Sequence, residues 1–371
     1  MIEHRPITKQ TIMGSSFSIE SDYSTNSGKL KIVSTPIRNA AQRLLDAKNQ
    51  PDVKQLFSVI WQSNELHLMF ADTGIGKSIL AVSLADAISK GRGILNQENH
   101  HAPQTVLYYD FELSDRQFRK RYSDDEGKEY SFSSYFFIDT IDFVELDKKY
   151  PGRTFTSKLF EKLRNDIVEY KTDVIIIDNL TFLNGQSTQD TQVALDVMRN
   201  LNEIKKEFNV SILVLAHTPK RSMSFPITIN DLAGSKHLSN FADSVSAIGK
   251  STHGKSVRYI KQVKPSRSSE ILFDSDNVLC CEIVKNDCFL TFSHLGYSAE
   301  QEHLTNDPSN QKEEKKEAAR ELRRQGMSIR AISEQLNIPH ANIQRWTKNS
   351  TENLYQMIQM EQNDTNDTCP F

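Results

Sequence analysis

Cysteine is scarce in this chain. Four occur among 371 residues, at Cys280, Cys281, Cys288 and Cys369. None stands at zinc-ligand spacing from a second pair, and the adjacent Cys280 and Cys281 would leave opposite faces of a strand. The expectation is reduced thiols in a reducing compartment. Long apolar runs are missing too. The longest is Ile212–Ala216, far short of the roughly 20 residues that cross a bilayer. The stretch Met1–Asp22 is polar and holds no signal core. A cytoplasmic chain with no membrane partner is therefore expected. A large charge of one sign is absent as well, with 45 Lys and Arg against 48 Asp and Glu. The whole chain is no polycation, so any nucleic-acid contact must come from local patches. What is present is a globular balance, 37% hydrophobic and 25% charged, which supports a real core. The length suits one large domain and a small one.

No internal repeat is visible. Residues 1–34 are rich in Ser, Thr and Asn and read as a flexible arm. Helical patches are expected at Ile37–Ala47 and Asp52–Trp61. An alternating section follows, over 35–296 as one domain. Strands are expected at Glu65–Phe70, Thr105–Phe111, Tyr135–Ile138, Val174–Ile177 and Val210–Leu215. Helices Ser78–Lys90, Ser157–Tyr170 and Gln192–Phe208 separate most of them. Continuous apolar strands between amphipathic helices indicate a parallel sheet covered on both faces. After Ala242 the strands crowd together, at Ser244–Ile248, Val257–Val263, Val278–Val284 and Cys288–Phe292. Asn286–Asp287 suits a hairpin turn between the last two. The expected fold is α/β, a mostly parallel sheet with an antiparallel extension. Residues 297–314 read as a linker, 315–348 as a small all-α unit and 349–371 as a disordered tail.

The segment Ala71, Asp72, Thr73, Gly74, Ile75, Gly76, Lys77, Ser78 fits a phosphate loop. Its glycines let backbone N–H groups turn inward, and the next helix adds its positive end. Lys77 can reach the β- and γ-phosphates of ATP, and the Ser78 hydroxyl can bind Mg²⁺. A β-branched run delivers Asp178 to the carboxyl end of its strand, where open α/β sheets hold ligands; it would hold the same Mg²⁺ through water. At the end of Thr105–Phe111, a carboxylate from Asp110 or Glu112 can orient or deprotonate the attacking water. The strand alternation would put both on one side. His217, ending the last central strand, can sense the γ-phosphate.

These four motifs, in this order, resemble the RecA-like ATPase core, and most closely the RepA-type replicative helicases of plasmids and mobile elements. The DnaB-type helicases are more distant relatives. The resemblance spans about residues 50–295. It implies that Glu112 is the catalytic base and that His217 couples phosphate state to DNA-binding loops. Asp231–Lys236 and Phe241–Asp243 are similar to the family's glycine-serine loop and acidic strand entry. Lys264 and Arg267 are similar to its finger pair, which reaches the nucleotide of a neighbouring subunit. A ring or filament is then expected, a hexamer among the forms, since Lys261, Lys264 and Arg267 have no obvious partner in one site. Loops Thr181–Gln192 and Thr218–Lys236 would meet single-stranded DNA, the second through Lys220, Arg221 and Lys236.

Gly326–Trp346 resembles a helix-turn-helix. Ile329, Ile332 and Leu336 make one apolar face, and Asn337 tolerates the left-handed turn. Pro339 suits the next helix start, and Ile343 and Trp346 pack it back. That leaves His340, Asn342, Gln344, Arg345 and Lys348 for the major groove of a duplex. Across 312–348, nine basic residues oppose five acidic ones, a surplus that favours phosphate. The leading expectation is an ATP-driven helicase or replication ATPase. Its rivals are a recombination, repair or regulatory ATPase that does not unwind, and a small-molecule kinase.

Overall fold

The computed structural model describes residues 37–49, 52–99, 101–179, 191–218, 221–232, 235–266, 269–305 and 308–347. The arm 1–34, most of the loop Thr181–Gln192, Lys220, Arg267, Lys348, Cys369 and the tail after 349 lie outside them, as does the side chain of Lys236. The chain divides into Met1–Asp52 and Val53–Phe371. In the first unit α1 (Ala40–Lys48) begins at Asn39, whose side chain accepts from the Gln42 N–H.

The main unit opens on β1 (Gln55–Phe57) and β2 (Trp61–Gln62), an antiparallel pair. The helix expected over Asp52–Trp61 is absent. Leu56, Phe57, Ile60 and Trp61 have helical spacing, yet all four are buried, and Ser58 takes a positive φ of 46° that turns the chain. Burial on both sides of the turn overrides the local period.

The main sheet contains β3 (Leu66–Ala71), β4 (Val106–Asp110), β5 (Phe136–Thr140), β6 (Val174–Asp178), β7 (Ser211–His217), β8 (Ser244–Lys250), β9 (Val257–Lys264), β10 (Val278–Asn286) and β11 (Phe289–Ser298). Their spatial order is β11-β10-β9-β8-β3-β7-β6-β4-β5. From β5 to β8 every neighbour is parallel; β9, β10 and β11 are antiparallel. This is the RecA-like arrangement, a mostly parallel sheet with an antiparallel extension. The helices are α2 (Lys77–Ser89), α3 (Asp115–Arg121), α4 (Phe143–Lys149), α5 (Phe155–Tyr170), α6 (Thr191–Phe208) and α7 (Ser235–Phe241).

Two cores cover the sheet, one per face. Ile175 and Ile177 of β6 join Leu163 and Leu201 on one side. Val174 and Ile176 join Leu80 and Leu84 of α2 on the other. A strand buried on both faces needs an unbroken apolar run, which is why β6 reads Val-Ile-Ile-Ile. Cys280 and Cys281 fall into opposite cores, and Cys280, Cys281 and Cys288 are free buried thiols. Gly249 is required where it stands: a β-carbon there would lie 2.0 Å from the ring of Tyr259 on the next strand.

The stretch expected as a linker is packed instead. β11 runs to Ser298, and Glu300, His303 and Leu304 are buried. The Glu300 carboxylate pairs with Lys261 at 2.6 Å and accepts from the Ile227 N–H at 2.6 Å. A polar sequence hides this because one of its charges, Glu300, faces inward and is paired.

Three helices close the unit, α8 (Pro308–Arg324), α9 (Ile329–Leu336) and α10 (340–347). Ala319, Ile332, Ile338 and Ile343 form their core, with Trp346 against it. Ser328 caps α9 by accepting from the Ala331 N–H. Asn337 ends it with φ 50° and ψ 49°, the left-handed turn expected of that residue. His340, Gln344 and Arg345 are exposed, and Asn342 is half-buried.

Candidate nucleotide site

The phosphate loop joins β3 to α2. Gly76 takes φ 112°, a conformation that L side chains avoid. A β-carbon on it would lie 2.9 Å from Ile283 and 3.0 Å from Phe292. The β10–β11 hairpin thus presses on the loop from outside, and the Ser83 hydroxyl of α2 meets Thr291 at 2.9 Å. From the neighbouring strand, the buried Arg258 donates its Nε to the Ile75 carbonyl at 2.8 Å. The contact ties the loop backbone to β9.

Four strand ends converge beside the loop. Lys77 is buried and donates Nζ to the Ala71 carbonyl at 2.9 Å and the Asp72 carbonyl at 3.2 Å. It also meets His217 Nδ1 at 3.0 Å. An ammonium cannot accept, so in this contact Nδ1 presents its lone pair. His217 Nε2 lies 3.4 Å from Glu112 Oε1. Asn179 donates its amide to that same oxygen and lies 2.9 Å from His217 Nε2. The His217 hydrogen bond holds the half-buried Glu112 carboxyl below its usual range, and Lys77 adds to this. Glu112 is therefore a carboxylate. Burial lowers Lys77, opposed by Asp178 and Glu112.

Asp110 and Glu112 do not share a face, as strand alternation would have it. β4 ends at Asp110, whose Oδ1 accepts the N–H groups of Glu112 and Leu113, both at 2.9 Å. Asp110 builds the turn that carries Glu112.

Asp178 is 1% exposed. Tyr108 donates its hydroxyl to Oδ2 at 2.7 Å, whereas Oδ1 has no hydrogen-bond partner. Burial pushes the carboxyl up to about 6, with Ser78 and Tyr108 pulling it back. An orphaned oxygen beside the Ser78 hydroxyl suits Mg²⁺, which takes few protein ligands and completes its shell with water and phosphate. When bound, Mg²⁺ would neutralise phosphate charge. It needs the carboxylate form, so the Mg²⁺ concentration for half-maximal ATP turnover should fall as pH rises through about 6; a requirement that stays flat across that window would refute the assignment. The same shift works against the empty fold. A carboxyl with a raised folded pKa binds more protons when folded, so stability is lost as pH climbs to about 6, by up to about 3 kcal/mol.

Other expectations are corrected. Lys261 and Lys264 do not lack partners. Lys261 is tied to Glu300, the Ile227 carbonyl and Ser275. Lys264 donates to the carbonyls of Ser239 at 2.7 Å and Ala242 at 2.6 Å. Lys264 pairs with Val245, itself beside Leu68, whereas Arg258 pairs with Lys250 at the phosphate-loop end. Lys264 thus sits toward the amino edge of the parallel strands, remote from its own chain's phosphates. Arg221 is not free for a strand either: it pairs with Asp231 at 3.6 Å and donates to the Phe225 carbonyl. Sequence reading missed Tyr108, Asn179, Arg258 and Phe292. Only Arg258, a charge in an apolar strand, carried a signal.

A match to the AAA domain family covers residues 36–223, half of the chain. No curated protein sequence matches. Among solved structures, a KaiC-like protein from the hyperthermophilic archaeon Pyrococcus horikoshii is similar at 14% identity and a TM-score of 0.43, over 64% of this chain and 99% of that one. The chain belongs to the AAA domain family and is a P-loop ATPase.

Proposed function

We propose that this ATPase acts on DNA, as a RepA-like helicase or replication ATPase of a mobile element. The observation that carries the reading is the contact from Lys77 through His217 to Glu112. The Lys77 ammonium rests on His217. A γ-phosphate would compete for that ammonium and release the imidazole, and His217 opens the loop that runs to Asp231. Phosphate state would then reach a loop at the sheet's carboxyl edge. That loop is tethered onward: the Thr305 N–H donates to the Met223 carbonyl at 3.1 Å, and Ser224 meets the Thr305 hydroxyl at 2.6 Å. Three residues later α8 begins. Motion in the loop would thus be felt at the C-terminal helices, which we read as a helix-turn-helix that docks a duplex through Asn342, Gln344 and Arg345.

Lys264, and with it Arg267, would serve a neighbouring copy's nucleotide, in a homo-oligomeric ring or filament. The tie of Arg221 to Asp231 favours a second reading, an ATPase that loads on DNA without unwinding. Strand-displacement assays separate the two.

Cutting the chain after Thr305 should leave ATP turnover and its stimulation by single-stranded DNA within about 2-fold, and weaken duplex binding at least about 10-fold at fixed salt. A cut there keeps Leu304, which is buried, and Thr305, which holds the loop. Duplex affinity that survives truncation would make the terminal helices a protein-binding unit.

A further inference from the structure

A cavity of about 570 Å³ lies against the phosphate loop. Its wall includes Ala71, Asp72, Thr73, Gly74 and Ile75, whereas Gly76, Lys77, Ser78, Asp178, Glu112 and His217 do not line it. Four cations line it, Arg221, Lys250, Lys255 and Arg258, against one acid, Asp72. Two of the four are spoken for, Arg221 by Asp231 and Arg258 by the Ile75, Lys255 and Val257 carbonyls. Lys250 and Lys255 are exposed, and their ammonium groups meet no partner among the described residues.

A second observation points inward. Thr218 is 8% exposed, lines the cavity, and its hydroxyl has no hydrogen-bond partner. A buried hydroxyl is costly when unpaired. The remaining wall is apolar, with Ile227, Ile248 and Leu304 all buried. Cations at the mouth, an unpaired hydroxyl within and an apolar wall match a nucleotide unit: phosphate outside, base or sugar inside.

We propose that this cavity is a second nucleotide-phosphate site, distinct from the ATP site. Its ligand is a nucleotide, either one residue of a single strand or a free mononucleotide. Occupancy would bear on both walls of the ATP site, because Arg258 lines the cavity and grips Ile75, and Thr218 follows His217 directly. The proposal needs neither unwinding nor the helix-turn-helix.

The test uses the full chain saturated with ADP and Mg²⁺, so that the phosphate loop is filled. One probe is a fluorescein-labelled oligothymidylate followed by anisotropy; the other is thymidine monophosphate followed by calorimetry. The variants are K250S/K255S and, as a packing-neutral check of the interior, T218V. A strand ligand predicts oligothymidylate binding weakened at least about 5-fold in K250S/K255S, with the salt slope reduced by about 1.4, and no heat from the mononucleotide. A free ligand predicts saturable heat from the mononucleotide that both variants lose. Unstimulated ATP turnover of K250S/K255S should match the parent. If the parent binds neither probe, or both variants bind both probes as the parent does with an unchanged salt slope, the site is rejected. A parent that fails to turn over ATP would fault the ATPase reading alone, because the probe arms do not depend on turnover.

Discussion

Glu112→Gln should bind ATP and Mg²⁺ within a few-fold of the parent and hydrolyse ATP about 10²- to 10⁴-fold more slowly. The glutamine keeps the shape of the side chain. Its Oε1 can still accept from Asn179, so the geometry of the turn after β4 survives. What is lost is the basic oxygen, and with it the acceptor for the proton of the attacking water. The carboxylate is ready-made in the parent, since the His217 hydrogen bond holds it below its ordinary range. Asp110→Asn is the matched comparison. An asparagine oxygen can still accept the Glu112 and Leu113 N–H groups, so turnover should fall far less. Phosphate release under single-turnover conditions measures both. Equal losses in the two variants would move the base away from Glu112.

Lys77→Ala should abolish measurable turnover and weaken ATP binding at least about 100-fold, the cost of one preorganised cation on the phosphates. Lys77 is 6% exposed, and its ammonium is held by two loop carbonyls and His217. Equilibrium binding of a fluorescent ATP analogue, beside a phosphate-release assay, reads both effects. Affinity within a few-fold of the parent would place the phosphates elsewhere.

The parts of the site visible in sequence were those where one residue type meets one chemical need at fixed spacing. Gly74, Gly76, Lys77 and Ser78 share a short loop, and the apolar run before Asp178 can only be a strand buried on both faces. The rest depended on three-dimensional closure. Tyr108 looks like any strand aromatic until β6 brings Asp178 beside it. Asn179 looks like a turn residue until it reaches Glu112. Lys261 and Lys264 look unpartnered because Glu300 and the α7 carbonyls lie far along the chain. The missing helix over Asp52–Trp61 has the same cause: a short apolar cluster fits two periods, and burial decides between them.

The brace on the phosphate loop sets the order in which this protein can become active during synthesis. Arg258 reaches Ile75 across 183 residues of sequence, and Thr291 reaches Ser83 across 208. Loop closures of that length come late in folding. A ribosome-bound chain released as far as Met223, where the match to the AAA domain family ends, already carries Lys77, Glu112, Asp178 and His217. It has neither Arg258 nor Phe292 to keep the loop in place. Nascent chains should therefore gain no protection from ATP until the final hairpin has emerged, and a recombinant fragment trimmed to the homologous region would carry a phosphate loop without its brace.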